Sequence, residues 1–147
     1  MGAILIEGAK WCSKTSTSAN VARSNLYMQD PDNAHSYREL ADTKPSLLLQ
    51  GEAPRLIDEW QMSPVLWDAV RFEMDKRQKS GQFIFTGSAV PADNVTAQTG
   101  TGCFASILMR PMSLYESQES NGSVSFAELF EGKQDIEGVS TLSIPFY

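Results

Sequence analysis

The feature that most constrains this fold lies at the start of the chain. The apolar run Ala3-Ile4-Leu5-Ile6 leads almost at once into Gly8-Ala9-Lys10-Trp11-Cys12-Ser13-Lys14-Thr15. These eight residues fit the pattern GxxxxGK[ST] at every fixed place but one. In that pattern a buried strand feeds a loop whose backbone N–H groups turn inward as a nest for phosphate oxygens. The helix that follows adds the positive end of its dipole. Gly8 then permits the tight exit from the strand, Lys14 reaches toward the β- and γ-phosphates, and Thr15 is placed to ligate Mg²⁺. Ala9, Lys10, Trp11 and Cys12 complete the loop. The pattern implies a nucleotide site.

The exception is Ser13, which stands at the second glycine. That place calls for a backbone conformation that glycine enters freely, and a side chain there crowds the phosphates. Left-handed geometry costs a non-glycine residue about 1–2 kcal/mol, about a tenfold loss in affinity. Ser13 is a handicap to binding and no proof of inactivity. The alternative, a chance Lys-Thr pair after a glycine, has to be weighed against the rest of the chain.

The rest of the chain alternates apolar strands with helices. Strands are predicted at 3–7, 25–28, 55–59, 83–88 and 107–109, the fourth running into a polar turn. Helices are predicted from Thr15 to about Ala22, at 36–42, 44–50, 64–79 and 125–130. The helix at 64–79 has Ser63 as its N-cap and Pro64 in its first turn. It carries Leu66, Val70 and Met74 on one face, and Gly81 closes it. Lys76, Arg77 and Lys79 cluster at its end, where cations complement the helix dipole. Small polar residues make 89–103 the longest loop. This βαβ order predicts an α/β fold of three layers, a mainly parallel sheet covered on both faces. Ligands of such sheets sit at the C-terminal ends of the strands. The Gly8–Thr15 loop, Asp58-Glu59 and Thr86-Gly87-Ser88 all fall there.

At 147 residues the chain is read as one domain, residues 1–147. A formal net charge of −6 argues against a nucleic-acid surface, which needs basic patches. Cys12 and Cys103 are too few and too far apart for a zinc or redox motif. No stretch reads as a signal peptide or a membrane span, so a cytoplasmic location is expected. His35, the single histidine, sits among Asp, Asn and Ser and is expected to be a solvated loop residue.

Asp58-Glu59 ends an apolar strand. An acid at this place holds Mg²⁺, with Thr15 and the phosphates as further oxygen ligands. A following glutamate can polarise the attacking water, the catalytic role open to Glu59; the alternative for the pair is an ordinary acidic strand-to-loop turn. Neighbours on a strand point to opposite faces, so the two carboxylates are expected to do different work. Of Thr86 and Ser88, either can contact the γ-phosphate or form an ordinary polar turn. Trp11 packs either over the site or on the core, Trp60 and Trp67 are read as packing residues, and Gln61 is a guess for positioning water.

Four ordered stretches carry a family resemblance: residues 4–12, 56–61 (Leu-Ile-Asp-Glu-Trp-Gln), 83–88 and 109–114 (Met-Arg-Pro-Met-Ser-Leu). Together they resemble the AAA-type ATP-binding proteins of bacteria and archaea, in the branch whose ATPase domain precedes a C-terminal domain of unknown function. The resemblance implies a P-loop NTPase core, ATP as nucleotide, Mg²⁺ as cofactor, and Ser88 at the sensor position. It leaves room for a homo-oligomer. Two departures bear on turnover. Ser13 replaces the family's glycine, and Cys103 stands where the family has an arginine that helps neutralise phosphate charge. Such an arginine is worth about 10³–10⁵ in rate in related phosphoryl transfers; whether Arg110 substitutes is open. Relatives also continue into a helical lid and a second domain, so the chain resembles a truncated copy. The expectation is an ATP-binding domain with weak or lost hydrolysis; the alternative is a non-enzymatic interaction module that keeps the fold.

Overall fold

Five strands of the computed structural model, which describes residues 1–88, 104–122 and 125–132, pair into one sheet. They are β1 (Ala3–Glu7), β2 (Ser24–Tyr27), β3 (Arg55–Asp58), β4 (Phe83–Thr86) and β5 (Phe104–Leu108). The order is β2-β3-β4-β1-β5 and every pairing is parallel. The helices are α1 (Lys14–Val21), α2 (Ala34–Thr43), α3 (Val65–Arg77) and α4 (Phe126–Phe130). Short 3₁₀ turns occupy Pro45–Leu47 and Trp60–Met62. The predicted α/β fold with a parallel sheet is the one observed.

Two compact units divide the chain, Met1–Pro111 and Met112–Tyr147. The first holds the whole sheet with α1, α2 and α3. Its main core lies on the face where Ala3, Leu5, Ile57, Phe83 and Phe85 meet Leu66, Trp67, Val70 and Met74 of α3. The i, i+4, i+8 stripe read from the sequence is the buried one. Leu56 and Ile84 alternate with those strand residues and are buried outside that cluster, on the opposite face, in the strands that α1 packs against. Trp60 and Trp67 pack as expected. Trp67 stacks on Phe104 of β5 with ring centroids 4.0 Å apart, and Phe85 lies 5.5 Å from Trp67.

Several boundaries differ from expectation. β5 begins at Phe104, three residues before the apolar run that marked it, because Phe104 is the residue that enters the aromatic cluster. α3 begins at Val65, with Pro64 as its cap and no side-chain cap bond from Ser63. The helix ends at Arg77, where Gln78 turns left-handed at φ 52°, ahead of Gly81. Arg77 serves structure there. It pairs with Glu73 at 2.8 Å and lies over the Phe83 ring. α1 buries only Lys14 and Ser18, so packing against the sheet, not an apolar stripe, holds it. The loop at 89–103 lies outside the described residues.

The second unit has a local device of its own. Ser113 and Glu116 form a reciprocal capping box: the Ser113 N–H and hydroxyl each donate to Glu116 Oε2 at 2.8 Å, and the Glu116 N–H returns a bond to Ser113 Oγ at 3.3 Å. Among the described residues no helix is long and apolar enough to cross a membrane. His35 is solvated as expected but lies in the first turn of α2 and not in a loop, 3.7 Å from Glu39 with both side chains exposed.

Candidate nucleotide site

Strand register assembles the site. Tyr27, Asp58, Thr86, Ile6 and Ile107 stand level across the sheet, so the segments that follow them emerge together at one edge. There a cleft of about 480 Å³ is bordered by Ser13, Lys14, Thr15, Asp58, Glu59 and Ser88, with Lys10, Trp11, Ser16, Gln29 and Gly87.

Gly8 leaves β1 at φ 152°, and a Cβ there would run into the carbonyl of Met109. The strand exit therefore requires the missing side chain. Beneath the loop Cys12 is buried, its thiol 3.6 Å from that same Met109 carbonyl. Ser13 adopts φ 65°, ψ 22°, the left-handed conformation expected of the glycine it replaces. Trp11 is left-handed as well, at φ 71°. Its indole is 91% exposed, which settles its place at the mouth of the cleft and away from the core.

Lys14 is 8% exposed and its ammonium donates to the carbonyls of Gly8 at 2.9 Å and Ala9 at 2.7 Å. Cys12 Sγ lies 3.8 Å away and accepts the third contact. The lysine is thus folded into its own loop. The first-turn N–H groups of α1 have no partner within the helix, and Ser13 offers no side-chain cap. Unpaired N–H groups at a helix start are suited to hold an anion.

Thr15 donates to Asp58 Oδ1 at 3.0 Å, joining the loop to the end of β3. Asp58 is 3% exposed and accepts a second hydroxyl, from the fully buried Thr86. Thr86 therefore braces the acid, while Ser88 is the residue of that turn with an exposed side chain bordering the cleft. One expectation needs correction. Strand alternation was to place Asp58 and Glu59 on opposite faces, but β3 stops at Asp58 and Glu59 turns left-handed at φ 53°, ψ 44°. Both carboxylates consequently border the same cleft.

Residues 2–118 match the AAA domain family. The chain belongs to that family. A comparison with curated proteins found no match. In this AAA domain Lys10, Trp11, Ser13, Lys14 and Thr15 of the loop come together with Asp58, Glu59 and Ser88 around one cleft, whereas Gly8, Ala9 and Cys12 do not border it. Arg110 is exposed and does not border the cleft, and Cys103 lies outside the described residues. Sequence reasoning missed Gln29, which borders the cleft just beyond β2, and Met109, whose carbonyl floors the loop. Gln29 sits at a strand end like the others, and that position was the available signal.

Proposed function

We propose that this AAA domain binds Mg-ATP in the cleft and hydrolyses it weakly or not at all. The Thr15–Asp58 hydrogen bond carries the reading, because it brings the two groups assigned to the metal within 3.0 Å on the wall of a cleft that Glu59 and Ser88 also border. A hydroxyl and a carboxylate are the hard oxygen donors that Mg²⁺ takes, so the residues present fit the ion. Magnesium, when bound, supplies positive charge against the phosphate oxygens. Lys14 supplies a second positive charge once its ammonium exchanges the Gly8 and Ala9 carbonyls for phosphate oxygens. Glu59 orients the attacking water and takes its proton, and Ser88 holds the γ-phosphate. The left-handed Ser13 and the cysteine at 103 support weak turnover.

Thermal melts with increasing Mg-ATP test binding, since a ligand of the folded state adds stability as RT ln(1 + [L]/Kd). Phosphate release compared between wild type and Glu59→Gln then separates turnover from binding. The engagement of Lys14 in its own loop favours a second reading, a non-enzymatic interaction module that keeps the fold. A melt that does not move at millimolar Mg-ATP decides for that module.

A further inference from the structure

We propose that Gln61 is a positioning residue, whose side-chain amide ties the Glu59 carboxylate to the Ser88 hydroxyl from behind the cleft wall. The inference rests on the roles given above to Glu59 and Ser88 and deepens them. It couples the group that orients water to the group that contacts the γ-phosphate.

The left-handed turn at Glu59 sends the chain off β3 into the Trp60–Met62 turn, and the Gln61 side chain comes back within hydrogen-bond reach of the Glu59 carboxylate. Gln61 Nε2 donates to Glu59 Oε2 and lies 3.4 Å from Ser88 Oγ. An amide nitrogen has two protons, so one side chain serves both partners. The amide has one workable orientation, because its oxygen facing a carboxylate would be repelled. That orientation leaves Gln61 Oε1 buried and, among the described residues, without a partner. An unpaired buried acceptor is unfavourable, and a leucine of similar size would pack here without it. The amide therefore serves its two N–H bonds and not the packing.

Gly87 makes room for the tie. A Cβ at that position would strike the Gln61 carbonyl oxygen and come within 3.2 Å of the Trp60 ring. Glu59, Gly87 and Ser88 all border the cleft, whereas Gln61 does not. Gln61 acts on the nucleotide only through its partners.

Three measurements test this. In the ¹⁵N spectrum of the nucleotide-free protein, the Gln61 side-chain amide signals should move in both Ser88→Ala and Glu59→Ala. In phosphate-release assays Gln61→Leu should lower kcat by about 10- to 100-fold, as misplacement of a reacting group does, while the Mg-ATP affinity stays within about twofold. In the Glu59→Gln background, Gln61→Leu should bring no further loss of kcat. Signals that ignore both substitutions overturn the proposal. So does a Gln61→Leu protein that loses affinity and kcat together, or one that keeps full kcat. If wild type shows no turnover, the reading of hydrolysis falls, and the amide signals alone decide whether the tie exists.

Discussion

Thr86 donates its hydroxyl to the same Asp58 Oδ1 that accepts from Thr15 at 3.0 Å. One carboxylate oxygen thus joins three strand-end segments: the phosphate loop, the end of β3 and the end of β4. The two donors differ in exposure, since Thr86 is fully buried and Thr15 is at the cleft. Thr86 fixes the acid, and Thr15 is the partner that can be exchanged.

This division makes Thr86→Val informative. The change keeps the shape and removes one donor from a carboxylate that is 3% exposed. A loss of about 1–3 kcal/mol is expected in urea unfolding, and Thr86→Ser should recover most of it.

Ser13→Gly should do the opposite. It relieves a left-handed side chain at φ 65°, worth about 1–2 kcal/mol, partly offset by the added freedom of glycine in the unfolded chain. The expected net gain is about 1 kcal/mol, read as a Tm higher by about 2–4 °C. Mg-ATP affinity should rise by up to about tenfold. An unchanged Tm would show that the serine costs nothing at this place.

Gly8→Ala tests the floor of the loop. The new methyl meets the Met109 carbonyl in a conformation, φ 152°, that side chains rarely adopt. Overpacking of this kind costs about 1–3 kcal/mol. Unfolding curves should show that loss, and Mg-ATP should no longer raise the Tm.

The three tryptophans report separately. Trp60 and Trp67 are 3% and 2% exposed, whereas Trp11 is 91% exposed. Acrylamide should quench about one third of the emission in wild type and almost none in Trp11→Phe. Because Trp11 borders the cleft, saturating Mg-ATP should shield this quenchable part.

Glu116 provides a pH readout in the second unit. Bonds from the Ser113 backbone N–H first, and then from its hydroxyl, hold the Glu116 carboxyl below its ordinary range. A depressed acid contributes its stability above the unfolded pKa and loses it as pH falls through the folded one. The Ser113–Glu116 turn should therefore loosen as pH falls below the ordinary glutamate range, seen in the ¹³C carboxyl shift of Glu116. Ser113→Ala should move that titration upward.

The sheet and the site were legible to different degrees. Apolar runs ending in Gly8, Asp58-Glu59 and Thr86-Gly87-Ser88 fixed the strands and the edge at which they meet, because a parallel sheet sends all its strand ends the same way. The fine geometry was not legible. Nothing local in Glu59 announces a left-handed turn, so strand alternation misplaced it. The apolar run at 107–109 misses the start of β5 because the polar Ser106 and the small Ala105 separate it from Phe104, whose anchoring role becomes recognisable only beside Trp67. The use of Lys14 by its own loop and of Thr86 by Asp58 depends on atoms distant in sequence, which no motif spacing encodes.

β5 has a further consequence. At one end it stacks Phe104 on Trp67, and just past the other its Met109 carbonyl lies under Gly8 and Cys12. The strand therefore acts as a strut between the aromatic core and the underside of the phosphate loop, although it contains none of the motif residues. Damage at Trp67 or Phe104, neither of which borders the cleft, should be felt first as a slackening of residues 8–13.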